Sequence, residues 1–156
     1  VDLCADFRKL NVNVFMYDYR GYGRSRGIPT ERGLYKDARA AYEFVRARHG
    51  DVEDPPIIVY GASLGGAIAS QLAIDKPVRG VILENSFTSV PELGARIYPW
   101  LPIKWLSRTR YDSLSKMGKI KAPVLIAHCL QDDLIPFDMG QKLYDHPIQL
   151  CFRLYL

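Results

Sequence analysis

Ser63 is the residue best suited to chemistry, because it lies at the centre of a G-x-S-x-G spacing within residues 57–66, IIVYGASLGG. The β-branched residues before it predict a strand, and the run from Leu64 to Asp75 predicts a helix. A sharp turn between such elements projects a serine hydroxyl above the sheet edge in a strained conformation. The pattern predicts that Ser63 is a nucleophile, and the alternative is a glycine-rich turn with an incidental serine.

The neighbours of Ser63 fit the same chemistry. We expect Gly61 and Gly65 to leave room where a β-carbon would clash with the tight turn. The N-terminus of the following helix directs free N–H groups and a partial positive charge toward the same place, which suits a developing oxyanion.

Two adjacent carboxylates follow a second predicted strand. Asp132 and Asp133 come shortly after the apolar run from Pro123 to Ala127. In a parallel sheet, function gathers at the carboxyl ends of the strands, where Ser63 also lies. An acid there can orient a histidine and stabilise its imidazolium. Asp132 follows the strand more closely than Asp133, and the alternative for both is a solvated acidic loop.

Strand and helix patterns alternate along the chain, which predicts one α/β domain with a mostly parallel, doubly wound sheet. Residues 1–146 form the domain, residues 90–115 form a short lid insertion, and residues 147–156 form an atypical tail. The predicted elements are a helix end at 2–10, strands at 13–17, 57–62, 78–83 and 123–127, and helices at 30–49, 64–75 and 137–145.

Composition narrows the class of protein. The net charge is +4 with basic residues scattered along the chain, so we expect a solvated basic surface and no nucleic acid. Cys4, Cys129 and Cys151 lack metal-ligand spacing and are interpreted as free thiols, so no metal or cofactor is predicted. No apolar run reaches membrane-spanning length and no signal peptide is visible. These features favour a cytoplasmic or membrane-associated protein.

Five motifs in this order resemble the α/β-hydrolase superfamily, and most closely the bud-emergence group of α/β-hydrolase-domain serine hydrolases. The motifs are YDYRGYGRS (17–25), GASLGG (61–66), LENSF (83–87), PVLI (123–126) and DDLIP (132–136). The resemblance covers about residues 1–145.

The resemblance implies a partial α/β-hydrolase fold and assigns roles to individual residues. Ser63 would be the nucleophile, Asp132 the acid of the triad, and the Leu64 amide one oxyanion donor. Asp18 and Arg20 would be structural parts of their loop. The family position occupied by Cys129 is usually glycine, so the turn that carries Asp132 is expected to differ slightly.

Three family features have no match in this sequence. The family's His-Gly loop, which supplies a second oxyanion donor, matches nothing before Asn11. The catalytic histidine of the family follows one more strand, and the tail from Pro147 to Leu156 does not resemble that segment. The family's third strand would lie between the strands at 13–17 and 57–62, so the latter would keep an unpaired edge. The chain is therefore interpreted as a fragment.

None of the three histidines fits the catalytic role. A crossover helix runs antiparallel to the strands, so His49 and His146, at helix C-termini, belong to the opposite edge of the sheet. A helix of about nine residues carries its end roughly 13 Å away. His128 lies within or at the tip of its strand and is expected to be a packed structural histidine.

The sequence thus predicts a serine hydrolase that cleaves ester or thioester bonds through an acyl-enzyme on Ser63, with a small-molecule or acyl substrate. By itself the chain is expected to be poorly stable and nearly inactive. The alternative is a non-catalytic fragment or pseudoenzyme that acts as a binding module. Trp100 and Trp105, in the lid, are candidates for an apolar cover, an acyl pocket or a peripheral membrane contact.

Overall fold

The computed structural model describes residues 3–50, 56–146 and 151–155. The strands of this part are β1 (Ile58–Ala62), β2 (Gly80–Glu84), β3 (Val124–His128) and β4 (Cys151–Tyr155). The helices of this part are α1 (Leu3–Arg8), α2 (Glu31–Arg48), α3 (Leu64–Asp75), α4 (Val90–Ile97), α5 (Ile103–Leu106), α6 (Leu114–Met117) and α7 (Phe137–Asp145).

The described strands form one parallel sheet in the order β1-β2-β3-β4, so the expected α/β architecture is confirmed. The register pairs Gly61 with Leu83, and Leu83 with Ile126. Because the strands are parallel, the carboxyl ends of β1, β2 and β3 all lie along the same edge of the sheet. The loops that carry the candidate residues therefore start side by side.

The long helices form where the sequence predicts them. Thr30 caps α2 by accepting a hydrogen bond from the Gly33 amide at 3.1 Å, and Leu34, Ala38 and Tyr42 bury its apolar side. The α3 and α7 helices have the predicted bounds. Helix α3 packs on β1 and β2, and α7 packs on β3 and β4.

Two buried clusters hold these layers together. One cluster lies between α2, α3, α7 and the loops after β2 and β3, and it includes Leu34, Ile68 and Met139. The second lies between the sheet and helices α6 and α7, and it includes Leu83 and Met117. The sheet edge that carries the candidate residues is thus backed by closely packed helices.

The predicted strand at Asn13 to Tyr17 is wrong. Residues 12–19 have no regular secondary structure, and Val14, Phe15 and Met16 are exposed. A strand requires a hydrogen-bonded neighbour. Among the described residues β1 pairs only with β2, so its other edge is open, as the sequence predicts.

The tail differs from the sequence-based expectation. Residues 147–150 and 156 lie outside the described residues, but Cys151–Tyr155 forms β4, parallel to β3. Cys151 pairs with Val124 and Tyr155 with His128. The five residues of β4 resemble no catalytic segment, yet the exposed edge of β3 gives them backbone hydrogen-bond partners along one side.

The insertion predicted at 90–115 lies between β2 and β3 and contains α4, α5 and the first two residues of α6. A β-carbon on Gly94 would lie 2.7 Å from Cγ2 of Ile103, so α5 packs closely against α4. No helix in the described ranges is long and apolar enough to span a bilayer.

Candidate active site

Ser63 occupies a strained turn between β1 and α3. Its backbone has φ 50° and ψ −117°, a left-handed φ that serine rarely adopts. The Ser63 amide donates to the carbonyl oxygen of Glu84 at 2.9 Å, and the Gly66 amide donates to the Ser63 carbonyl at 3.0 Å. The hydroxyl makes no capping bond to α3. Backbone hydrogen bonds on both sides thus fix the turn, and the hydroxyl of the half-buried Ser63 is not used in capping the helix.

The glycines around Ser63 differ in their importance. A β-carbon on Gly61 would lie 2.2 Å from the carbonyl oxygen of Gly65, a backbone clash that supports the prediction for Gly61. A β-carbon on Gly65 would meet only the Tyr19 hydroxyl, at 3.6 Å. The steric role predicted for Gly65 is therefore wrong, because it is the Gly65 carbonyl that approaches Gly61.

Gly66 is a second essential glycine, which sequence reasoning missed. A β-carbon there would lie 1.9 Å from Oγ and 2.7 Å from Cβ of Ser86, and Ser86 is buried. The absence of a side chain lets α3 approach the end of β2. The glycine pair in the sequence was the available signal.

The Leu64 amide has no hydrogen-bond acceptor within its own helix. Leu64 is the first residue of α3, and the first N–H groups of a helix have no partner within it. The helix has 12 residues, so its dipole adds a partial positive charge at this end. An anion that forms beside Ser63 would meet this N–H group.

The end of β2 connects the loops after β1 and β3. Asn85 has φ 42°, and its amide donates to the Ala127 carbonyl at 2.9 Å. Its side-chain oxygen Oδ1 accepts from the Cys129 amide at 2.8 Å. The neighbouring Glu84 carbonyl accepts from the Ser63 amide. Residues 84 and 85 therefore hydrogen-bond to the loop after β1 and to the loop after β3. Asparagine tolerates left-handed backbone better than most residues, so an asparagine directly after β2 was the available sequence signal for this turn.

Asp132 is fixed by its own loop. Its Oδ1 accepts hydrogen bonds from the amides of Leu134 at 2.9 Å and Ile135 at 2.8 Å. Within the described residues, Oδ2 has no hydrogen-bond partner. Asp133 is exposed and accepts no hydrogen bond from that part of the chain. An oriented carboxylate with one free oxygen is suited to holding an imidazole N–H.

Ser63 and Asp132 lie at the same sheet edge, separated by β2. Neighbouring strands lie about 4.8 Å apart, so the two loops start about 10 Å from each other. The structure therefore places the two residues that the sequence pairs in loops that leave the same end of the sheet.

The structure places no histidine of the described residues in hydrogen-bond contact with Ser63. His49 and His146 follow the C-terminal ends of α2 and α7. His128 is buried, and its Nε2 lies 2.9 Å from the Ile135 carbonyl. Its Nδ1 has no hydrogen-bond partner in the described part of the chain, and a β-carbon on Gly140 would lie 2.4 Å from that atom. His128 is packed in the core, as expected.

The loop before α2 is held together by its charged side chains. Arg20 makes a two-pronged ion pair with Asp37, with Nη2 2.6 Å from Oδ1 and Nε 2.9 Å from Oδ2. Asp18 accepts from the Arg24 amide at 3.0 Å. A β-carbon on Gly23 would lie 2.3 Å from the Asp18 carboxylate. These contacts are structural, as the resemblance implies for Asp18 and Arg20.

An open cavity of about 560 Å³ lies between this loop and α2, and it is lined by Phe15, Tyr17, Arg20, Ile28 and Phe44 among others. Neither Ser63 nor Asp132 lines it. It adjoins the segment 12–19, which has no strand partner. We therefore locate the candidate chemistry at the sheet edge and not in this cavity.

Cys129 and Cys151 are free thiols, and the side chain of Cys4 lies outside the described part of the chain. Burial raises the pKa of the Cys151 thiol. Among the described residues, no three His, Cys, Asp or Glu side chains form a group that would hold a metal ion.

Comparison with known proteins finds a family model and several relatives that match most of this chain. Residues 1–115 match the family model described as serine aminopeptidase, S33. An uncharacterized protein of Mycobacterium tuberculosis is 39% identical over 142 residues, covering 91% of this chain and 50% of that protein. The lysophosphatidylserine lipase ABHD12 of Danio rerio is 34% identical over 163 residues, covering 93% of this chain and 42% of that protein.

Among solved structures, an α/β serine hydrolase homologue from Coxiella burnetii aligns with a TM-score of 0.64 and 21% identity. The alignment covers 88% of this chain and 55% of that one, and it shows a shared fold. The chain spans about half the length of the curated relatives that it matches.

Proposed function

The chain belongs to the serine aminopeptidase S33 family within the α/β-hydrolase superfamily, and on this premise we propose that it carries the nucleophile and acid of an esterase or thioesterase. Ser63 is the nucleophile, Asp132 is the acid, and the Leu64 amide is an oxyanion donor. The strained φ of 50° at Ser63 is the observation that carries this proposal, because a left-handed φ at serine costs stability and the hydroxyl makes no capping bond that would offset the cost.

In the proposed reaction, Ser63 Oγ attacks the carbonyl carbon of the substrate. A histidine from outside this chain takes the hydroxyl proton, and Asp132 Oδ2 holds that histidine. The new Oγ–C bond forms a tetrahedral oxyanion, which accepts a hydrogen bond from the Leu64 amide. The bond to the leaving alkoxide or thiolate then breaks, and the histidine donates its proton to that group. Water hydrolyses the acyl-enzyme by the reverse sequence.

The proposed substrates are lipid-like esters or thioesters. A 34% identical relative bears the name of a lysophosphatidylserine lipase, and the insertion next to the sheet edge is rich in aromatic residues. Within the superfamily we place the chain nearest to the bud-emergence group, on the five motifs quoted above.

Chemical rescue with imidazole tests the proposal. Added imidazole can stand in for an absent histidine, so p-nitrophenyl butyrate should be hydrolysed in an imidazole-dependent manner by the chain. Ser63→Ala should lower this rate to that of imidazole alone, whereas Ser115→Ala, at an exposed serine, should leave it unchanged. Asp132→Asn should slow it, and Asp133→Asn should not. An imidazole-dependent rate that is the same with and without Ser63 would overturn the proposal.

A second candidate function is a non-catalytic binding module. It is favoured by the lack of any hydrogen bond between Ser63 and a histidine in the described residues. A fluorophosphonate probe, which reacts with activated serines, discriminates between the two functions. A folded chain that stays unlabelled at Ser63, with and without imidazole, would support the binding module. Labelling that Ser63→Ala removes would support the hydrolase.

A further inference from the structure

The insertion between β2 and β3 presents a patch of exposed apolar side chains. We define this insertion patch by its six members, Ile97, Tyr98, Trp100, Leu101, Trp105 and Leu106. The side chain of Trp105 is 91% exposed and that of Trp100 is 73% exposed. Single exposed apolar residues are ordinary, but six within ten positions form a surface that marks an interaction site.

The patch sits on a fixed support. Arg96 of α4 makes a two-pronged ion pair with Asp138 of α7, and Lys142 of α7 lies 2.6 Å from Glu92 Oε1. Ile103 packs against Gly94, which turns the opposite side of α5 outward. The tryptophans are therefore exposed on elements that are anchored to the domain.

The segment that carries the patch contains charges of one sign only, and the acidic residues of its support, Glu92 and Asp138, are ion-paired. The sequence from Leu93 to Tyr111 contains four basic residues and no acidic residue. Arg108 and Arg110 are exposed, and neither side chain has an ion-pair partner among the described residues. Tryptophan and tyrosine with flanking arginine or lysine are typical of surfaces that lie in the headgroup region of a bilayer.

We propose that the insertion patch binds the surface of an anionic lipid membrane, with Trp100 and Trp105 entering the headgroup region and Arg108 and Arg110 contacting lipid phosphates and carboxylates. A protein partner would bury the same apolar residues, but an interface core is ordinarily depleted of charge, and the two exposed arginines beside the patch favour an anionic membrane. This proposal does not depend on catalysis.

The tryptophans provide a direct test, because Trp100 and Trp105 are the two tryptophans of the chain. Adding phosphatidylcholine vesicles that contain phosphatidylserine should shift the tryptophan emission to shorter wavelength. Lipids brominated along their acyl chains should quench that emission. An unchanged emission spectrum at saturating vesicle concentration would overturn the proposal.

Co-sedimentation with the same vesicles tests the two components separately. Trp100→Ala with Trp105→Ala should lower the partition coefficient about tenfold or more. Ile28→Ala, at a side chain 79% exposed outside the insertion, should leave it unchanged. Arg108→Gln with Arg110→Gln should weaken binding to the anionic vesicles about fivefold per charge and leave binding to pure phosphatidylcholine unaffected. Arg24→Gln with Arg26→Gln is the matched charge control.

The remaining outcomes are also decisive. Vesicle binding that survives the double tryptophan substitution would overturn the proposal, because another surface would then be responsible. A dimer that dissociates on the same substitution, without vesicle binding, would assign the patch to a second copy of the chain. Circular dichroism should show unchanged folding of every variant, since all the substituted side chains are exposed.

Discussion

A β-carbon on Gly61 would lie 2.2 Å from the carbonyl oxygen of Gly65, so the backbone at the end of β1 lies in direct contact with the backbone of the first turn of α3. This contact directs the chain back sharply enough to give Ser63 its φ of 50°. The geometry of the candidate nucleophile therefore depends on the absence of a β-carbon at Gly61.

Gly61→Ala should destabilise the domain and displace Ser63. The clash involves backbone atoms on both sides, so it can be relieved only by moving β1 away from α3. Overpacking of this kind costs about 1–3 kcal/mol of unfolding free energy. Urea denaturation followed by circular dichroism measures the loss, and imidazole-dependent ester hydrolysis measures the displacement.

Gly65→Ala is the matched control for that prediction and should have the opposite sign. Its β-carbon meets only the Tyr19 hydroxyl at an ordinary contact distance, and residue 65 is helical. Replacing glycine by alanine within a helix gains about 0.5–1 kcal/mol. Equal destabilisation by both variants would contradict the steric account of the turn.

The stability of the domain should depend on both the side chain and the backbone conformation of Asn85. Asn85→Ala removes the acceptor for the Cys129 amide and puts alanine at φ 42°, so we expect a loss of about 2–3 kcal/mol. Asn85→Gly removes the same acceptor but adopts that φ without strain. The difference between the two variants, measured by urea denaturation, should be about 1 kcal/mol in favour of glycine. Identical stabilities would show that the backbone at Asn85 is not strained.

The sequence could predict what depends on local pattern. The apolar run before Gly61 and the helical run after Ser63 place the turn correctly, and Thr30 marks the start of α2. Asp132 could be singled out from Asp133 only by its position after the strand. The two amides that hold its carboxylate depend on how the loop folds back on itself.

Strand pairing and close approach could not be predicted in the same way. Residues 13–17 have the composition of a strand, but composition does not supply a neighbour, and Phe15 packs instead against Phe44 of α2, with the ring centres 5.3 Å apart. The tail becomes β4 because the edge of β3 is available. The need for glycine at position 66 arises from Ser86, a residue 20 positions away in the sequence.

The Arg20–Asp37 pair should make stability depend on pH in the acid range. Hydrogen bonds from the Arg20 guanidinium hold the pKa of Asp37 below its ordinary value. The folded state thus binds this proton less readily than the unfolded state. The stabilisation is complete above the unfolded pKa, about 4, and is lost as the pH falls through the folded pKa.

Asp37→Asn should therefore lower the unfolding free energy by about 1 kcal/mol at neutral pH, since the pair is partly exposed. The difference from the unsubstituted chain should disappear under strongly acidic conditions. Asp6→Asn, in the more exposed pair with Lys9, is the control and should change little at any pH. Urea denaturation across this pH range tests the prediction, and a difference that persists in acid would contradict it.

Glu31 should control how firmly the insertion is attached to α2. Its carboxylate accepts from the amides of Arg110 at 2.8 Å and Tyr111 at 3.0 Å, and from the Tyr35 hydroxyl at 2.8 Å. The Tyr35 hydroxyl in turn accepts from Lys116 Nζ at 2.6 Å. One side chain at the start of α2 thus holds the segment that returns from α5 to α6.

Glu31→Ala should lower the unfolding free energy by about 2–3 kcal/mol, because it leaves two partly buried donors, the Tyr111 amide and the Tyr35 hydroxyl, without an acceptor. It should also speed tryptic cleavage after Arg108 and Arg110, since the segment can then open without global unfolding. Glu43→Ala, at another glutamate of α2, removes an exposed ion pair with Lys76 and should change stability little and leave cleavage unchanged. Equal cleavage rates for the two variants would show that contacts other than those of Glu31 hold the insertion to the domain.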